Sequence, residues 1–191
     1  MNNYEYIIAS LPVQGKDAGV ADADAVLAEI RSQCSKSDNA LIDKLTDSFN
    51  PDCLTEDFYK SAWSSRNGFL RNYLIFDLKV RNAKVRYLNT RLGRPVSQDL
   101  MPLPEDAPEE FDEEVSVNAI LEREDILERE KGLDDIMWEK ADELVQSHIF
   151  DIDIILSFIA KLKIAERWSK LDPESGRELF RRLVQEIRNT R

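Results

Sequence analysis

Apolar residues recur at three- and four-residue steps along most of this chain, and that period predicts helices. Between Thr55 and Leu92 the stripe Phe69, Leu70, Tyr73, Leu74, Leu78, Val85, Leu88 and Leu92 predicts one long helical region, capped by Thr55 and stopped by Gly93 and Pro95. From Leu121 to Arg191 helix-type sequence is interrupted only at Gly-Leu-Asp, Phe-Asp-Ile-Asp and Leu-Asp-Pro-Glu. Asp134 or Asp135 is expected to start a helix with Ile136, Met137, Ala141, Leu144, Val145 and Ile149 inward. Asp151 or Asp153 caps the next, which runs to Trp168. It is apolar nearly all round and is expected to sit at the centre of a bundle. Asp172 and Pro173 open a last helix that buries Leu179, Phe180, Leu183, Val184 and Ile187.

The start of the chain is less decided. Tyr4, Tyr6 and Ile8 alternate as in a strand, whereas Tyr4, Ile7, Ile8 and Leu11 share one helical face. Asp22 or Asp24 can cap a helix carrying Val26, Leu27 and Ile30. Ser37 or Asp38 can cap another carrying Leu41, Ile42, Leu45 and Phe49, stopped by Asn50-Pro51. The fold class expected is all-α.

The helical pattern stops over residues 94–114, RPVSQDLMPLPEDAPEEFDEE, where prolines and acidic residues read as a solvated linker or extended loop. The chain therefore divides into an N-terminal helical half (1–95), an acidic linker (96–118) and a C-terminal helical half (119–191), with one compact domain as the alternative. The near-repeat ILERED (120–125) and ILEREK (126–131) is too short for a solenoid and reads as one charged helix laced by Glu and Arg.

Charge sharpens this division. The chain carries a net charge of −11 over 191 residues, and fourteen acidic residues against three basic ones between Glu105 and Asp135 supply all of it. The rest is neutral and has no clustered basic face, which argues against nucleic acid as a partner. A hydrophobic content of 42% supports a packed core. Cys34 and Cys53 lack C-x-x-C spacing and suit reduced thiols. The start MNNYEYIIASLPVQGKD does not resemble a secretory signal, and no apolar run approaches the ~20 residues that span a bilayer.

Candidate chemistry is sparse. His148 has no Cys or second His near it and is expected at a helix C-terminus, favoured there by the dipole. Phosphate loops and nucleophile elbows are absent from the sequence, and no metal or cofactor is expected. Asp77 and Arg81 lie four apart on one helical face, where a structural ion pair is the plainer reading than catalysis. Lys163, Glu166 and Arg167 offer either an intrahelical pair at the rim of a bundle or an interface pair.

Several runs carry a resemblance. They are YEYIIASLP; the W-x-x-x-N-x-F-L-R run of Trp63, Asn67, Phe69, Leu70 and Arg71; the D-x-x-x-R-N run of Asp77, Arg81 and Asn82; LEREKGLDDIMWEKADEL; and FDIDIILSFIAKLKIAERW. Together they resemble a small bacterial family encoded beside V-type ATP synthase subunits, which is similar to the C (or d) component of V/A-type ATPases. The resemblance implies an all-helical, non-catalytic socket between the rotating central stalk and the membrane ring. Its partners would be rotor-stalk and ring proteins of the ATPase, and its place cytoplasmic, peripheral to the inner membrane. Asp77, Arg81, Asn82, Lys163, Glu166 and Arg167 are the positions it offers as interface or structural ion pairs. Two other readings stand beside it: a soluble helical adaptor that engages a basic partner through its acidic segment, and a hydrolase using carboxylates in a groove between the halves.

Overall fold

The structure, a computed structural model, describes residues 4–15 and 22–170. Within them the chain forms eight α-helices and one short 3-10 turn, with no strand. The helices are α1 (Tyr4–Ser10), α2 (Ala23–Gln33), α3 (Lys36–Asp47), α4 (Glu56–Trp63), α5 (Gly68–Arg91), α6 (Glu114–Leu121), α7 (Ile126–Glu143) and α8 (Ile152–Ser169); the 3-10 turn is Pro51–Cys53. No helix among the described residues is long and apolar enough to cross a membrane. The helix expected after Asp172 lies outside the described residues.

Local hydrogen bonds explain where most helices begin. Asp22 accepts from Ala25 N, Thr55 from Phe58 N, and Asp151 from Asp153 N and Ile154 N, each satisfying first-turn donors that have no partner within the helix. At α3 the cap is Ser35, two residues before the expected Ser37, because Ser35 and Asp38 form a reciprocal capping box. Gly93, with φ of +65°, follows the end of α5, a backbone conformation that costs glycine nothing. The ambiguous Tyr4–Ser10 stretch is helical and buries Ile7.

Several expectations are corrected. The single helix over 56–92 is two helices, broken at residues 64–67. There the Asn67 side chain accepts from Leu70 N at 2.8 Å and donates to Asp153, so its cap starts α5 afresh. The charged helix over 120–131 is likewise two helices. Asp125 accepts from Leu127 N (2.6 Å) and Glu128 N (3.2 Å) and starts α7, well before Asp134. Gly132 is therefore no junction. It lies inside α7, where a Cβ would come 2.7 Å from Ile120 Cγ2, so glycine allows α6 and α7 to close on each other. Lastly, α6 begins at Glu114, inside the segment expected to be linker, and Ile149 faces solvent (69% exposed), because α7 has ended at Glu143 and the chain is turning.

α8 is central to the whole molecule and not only to the C-terminal helices. It packs against α1, α2, α3, α5 and α7, and a single buried cluster runs from Ile7 to Ala165. Against α7 it is antiparallel: Ser157 bonds the Ala141 carbonyl at 2.8 Å, Lys161 pairs with Asp142 at 2.6 Å, and Trp168 Nε1 bonds Asp134 at 2.7 Å. α5 and α7 are antiparallel too, with Phe76 beneath the Lys140 ammonium at 5.0 Å and Lys84 paired to Glu130.

Candidate functional site

The site is built along α5. Asp77, buried in its middle, accepts from the Tyr59 hydroxyl of α4 and from Arg81 Nε, both at 2.7 Å. Arg81 also donates to the Ser48 carbonyl at 3.3 Å, so one carboxylate and one guanidinium tie α5 to α4 and to the end of α3. Burial, reinforced by the Asp77 charge, pushes the Tyr59 hydroxyl far above its ordinary range, and it stays protonated as a donor. Asp77 is buried but keeps two donors, and Arg81 is partly exposed, so the pair avoids the large penalty of a lone buried charge.

Asn82, one position on, holds the segment between α5 and α6. Its amide donates to the Met101 carbonyl at 2.8 Å and its carbonyl accepts from Met101 N at 3.1 Å. Asn89 repeats the device by donating to the Gln98 carbonyl at 2.6 Å. At the far end of the segment Lys79 donates to the Glu110 carbonyl. Phe111 packs edge-on against Phe76 at 5.7 Å, and Glu113 pairs with Lys140 at 2.8 Å. Burial lowers the Lys79 ammonium below its ordinary value; Glu113 opposes this and Lys140 adds to it. The stretch expected to be a solvated linker or an extended loop is a loop up to Phe111 and serves as a strap across α5, where Asn82, Asn89 and Lys79 take up some of its backbone groups. Asp99 and Asp106 adopt left-handed φ values of 60° and 63° within it, which Asp tolerates better than most side chains.

On either side of the Asn82–Met101 crossing lies a hollow. One is a cleft of about 770 Å³, lined by Lys79 and Arg86 of α5 and by Glu105, Asp106, Glu109 and Phe111 of the strap. The other is a mainly apolar groove of about 300 Å³, lined by Leu54, Leu78, Val85, Leu88 and Met101, with Asp99 beside it.

The remaining sequence candidates lie elsewhere. Glu166 is buried on α8 and takes hydrogen bonds from Lys163 (2.6 Å) and from Lys170. Arg167 points the other way and joins Trp168 in bonding Asp134 of α7. Asp77, Arg81 and Asn82 thus belong to one site, and Lys163, Glu166 and Arg167 form separate contacts of α8. His148 is not at a helix C-terminus. It sits in the turn before α8, with Nδ1 2.5 Å from Asp151 and 3.8 Å from Asp153. The α7 helix ends five residues earlier, so its dipole has no role there.

Tyr59, Lys79, Arg86, Asn89 and the Met101 crossing were not singled out from the sequence. Lys79, Asn82, Arg86 and Asn89, at steps of three, four and three, form a polar line on one face of α5, and that line is the local signal for the strap.

A family model described as a protein of unknown function, DUF2764, matches residues 50–190. The chain belongs to that family. The DUF2764 match takes in α4 to α8, hence the strap and both hollows, while α1 to α3 precede it. No curated protein and no solved structure matches the chain.

Proposed function

We propose that this DUF2764 chain is a non-catalytic, C/d-like component of a V-type ATP synthase or ATPase, coupling the central stalk to the membrane ring through protein–protein contacts at the membrane surface. The observation that carries the reading is how the residues of the resembling runs are used. Asn67 starts α5 and ties it to α8, Arg71 lies over the Trp63 ring at 5.5 Å, and Asp77, Arg81 and Asn82 fasten α4 and the strap to α5. Every one of them fixes helices relative to each other, the work a rigid connector needs, and their charges are taken up by internal partners. The test is co-purification from native membranes: rotor-stalk or ring proteins are expected with the tagged chain, and recovery of none of them overturns the reading.

One observation favours a second reading, a soluble helical adaptor for a basic partner. Glu105, Asp106 and Glu109 on the strap form no ion pair among the described residues, although Glu113, Glu114, Glu130 and Asp134 of the same acidic region do. Such a complex weakens steeply with salt, and Glu105→Gln with Asp106→Asn and Glu109→Gln abolishes it while the fold is kept. Co-purification with ATPase components that withstands both changes counts against it.

A further inference from the structure

The strap is held to α5 at Asn82, which binds Met101, and again at Lys79, whose ammonium donates to the Glu110 carbonyl. Those anchors are three residues apart on the helix, about 4.5 Å at 1.5 Å per residue. Residues 102–109 must fit between them, so they arch outward. The cleft of about 770 Å³ is lined by this arch, by α5 and by Glu114 at the start of α6. That volume is in the range of small-ligand sites. Its charges are divided between two walls. α5 contributes Lys79 and Arg86, the arch contributes Glu105, Asp106 and Glu109, and no ion pair joins the two walls among the described residues.

Lys79 is short of countercharge. It is partly buried, its hydrogen bond goes to a neutral carbonyl, and no carboxylate lies at ion-pair distance from it among the described residues. Burial depresses its pKa, and the more distant carboxylates, Glu113 foremost, do not make up the difference. A desolvated cation in that position gains from an added anion. Arg86 meets Glu114 only at 3.6 Å, beyond hydrogen-bond distance, so its guanidinium fork is open to a carboxylate. We propose that the cleft binds an apolar zwitterion of dipeptide size, its carboxylate toward Arg86 and Lys79 and its ammonium toward the acids of the arch. A simple anion is repelled by the arch and a simple cation by α5, whereas a ligand with both charges complements both walls. Leu103 and Phe111 supply apolar contact for its body. The site does not depend on the ATPase assignment, which stands or falls by co-purification.

The test is calorimetric titration of the full chain with three compounds. Leucyl-leucine carries both charges, N-acetyl-leucyl-leucine keeps only the carboxylate, and leucyl-leucine amide keeps only the ammonium. Leucyl-leucine is expected to bind with a Kd below about 1 mM, and each blocked form at least about tenfold more weakly. Arg86→Gln should weaken leucyl-leucine at least about tenfold and leave the amide as weak as it is with the parent. Glu105→Gln, Asp106→Asn and Glu109→Gln together should weaken leucyl-leucine by a similar factor without weakening the acetylated form. Arg86 and the three acids are exposed, so circular dichroism of both variants should match the parent. No binding of leucyl-leucine overturns the proposal, as does equal binding of either blocked form, which would make the cleft a site for one charge alone. Leucyl-leucine binding that survives either variant unchanged overturns it too.

Discussion

The two ends of α5 carry one apolar stripe and meet opposite fates. From Phe69 to Ala83 the helix is buried on nearly every side, with Leu74 and Leu70 wholly enclosed. From Lys84 onward the same stripe emerges, and Leu88 and Leu92 face outward. α5 as a whole packs against α3, α4, α6, α7 and α8; its second stretch is held by the strap and by the ion pairs of Lys84 with Glu130 of α7 and Arg86 with Glu114 of α6. Apolar periodicity reports that a helix has a face to bury; how much of that face is covered depends on where the neighbouring helices stop.

The comparison is broken most sharply by truncating one leucine at each end. Leu74→Ala should cost about 2–5 kcal/mol in chemical denaturation, the usual range for a leucine cavity in a closed core. Leu88→Ala should stay within about 0.5 kcal/mol of the parent, as exposed substitutions do. Equal losses would mean that the outer groove is filled in the folded chain. Next in size, Asp77→Ala should cost about 2 kcal/mol. It strands the Tyr59 hydroxyl and one donor of Arg81, although the Arg81 side chain is 44% exposed and that softens the loss.

Two tyrosines then test the buried half in opposite directions. Tyr59→Phe removes a satisfied hydroxyl and should cost about 1 kcal/mol, leaving Asp77 short of a donor. Tyr73, stacked on Phe69 at 5.2 Å, buries a hydroxyl with no hydrogen-bond partner among the described residues, so Tyr73→Phe should be neutral or stabilise by up to about 1 kcal/mol. A loss at Tyr73→Phe in thermal melts would reveal a water bound there. On the outer half, Asn82→Ala should cost about 1 kcal/mol and speed hydrogen exchange at Met101 before anywhere in α5, since it releases the strap and leaves the helix whole.

The smallest effect is electrostatic. Burial opposes ionisation of Glu166, but hydrogen bonds from Lys163 and Lys170 outweigh it and hold its pKa below the ordinary 4.5. Its contribution is therefore fully present above that value and is lost as pH falls through the lower folded-state pKa. Glu166→Gln should cost under about 1 kcal/mol at neutral pH, with the gap to the parent closing in acid. A gap that widens in acid would contradict the sign.

Much of the helical content was legible because its signals are local. Asp22, Thr55, Asp151 and Gly93 do what their side chains or backbone do anywhere, and the apolar run of α8 marks a helix that has to be enclosed. The Ser35 and Asp125 caps were local signals passed over, and the other errors fall where a distant partner decided the outcome. Asn67 reads as an interior helix residue until Asp153, far along the chain, holds it. Residues 94–114 look solvated by composition, and only Asn82, Asn89 and Lys79 turn them into a strap. Of the candidate site, the Asp77–Arg81 pair was visible from spacing, whereas Tyr59 and Met101 were not, because they arrive from other segments.

Read alone, the amino-acid chain marked most of the helical stretches, the starts of α2, α4 and α8, and the gathering of negative charge in one region. Helix period and capping act within a few residues of each other, so they are written in order along the chain. Only the tertiary structure decided that α8 unites the molecule, that the acidic segment is fastened down, and that α5 is sealed at one end and open at the other. Those outcomes depend on contacts between residues far apart in sequence, whose geometry exists only once the helices have met.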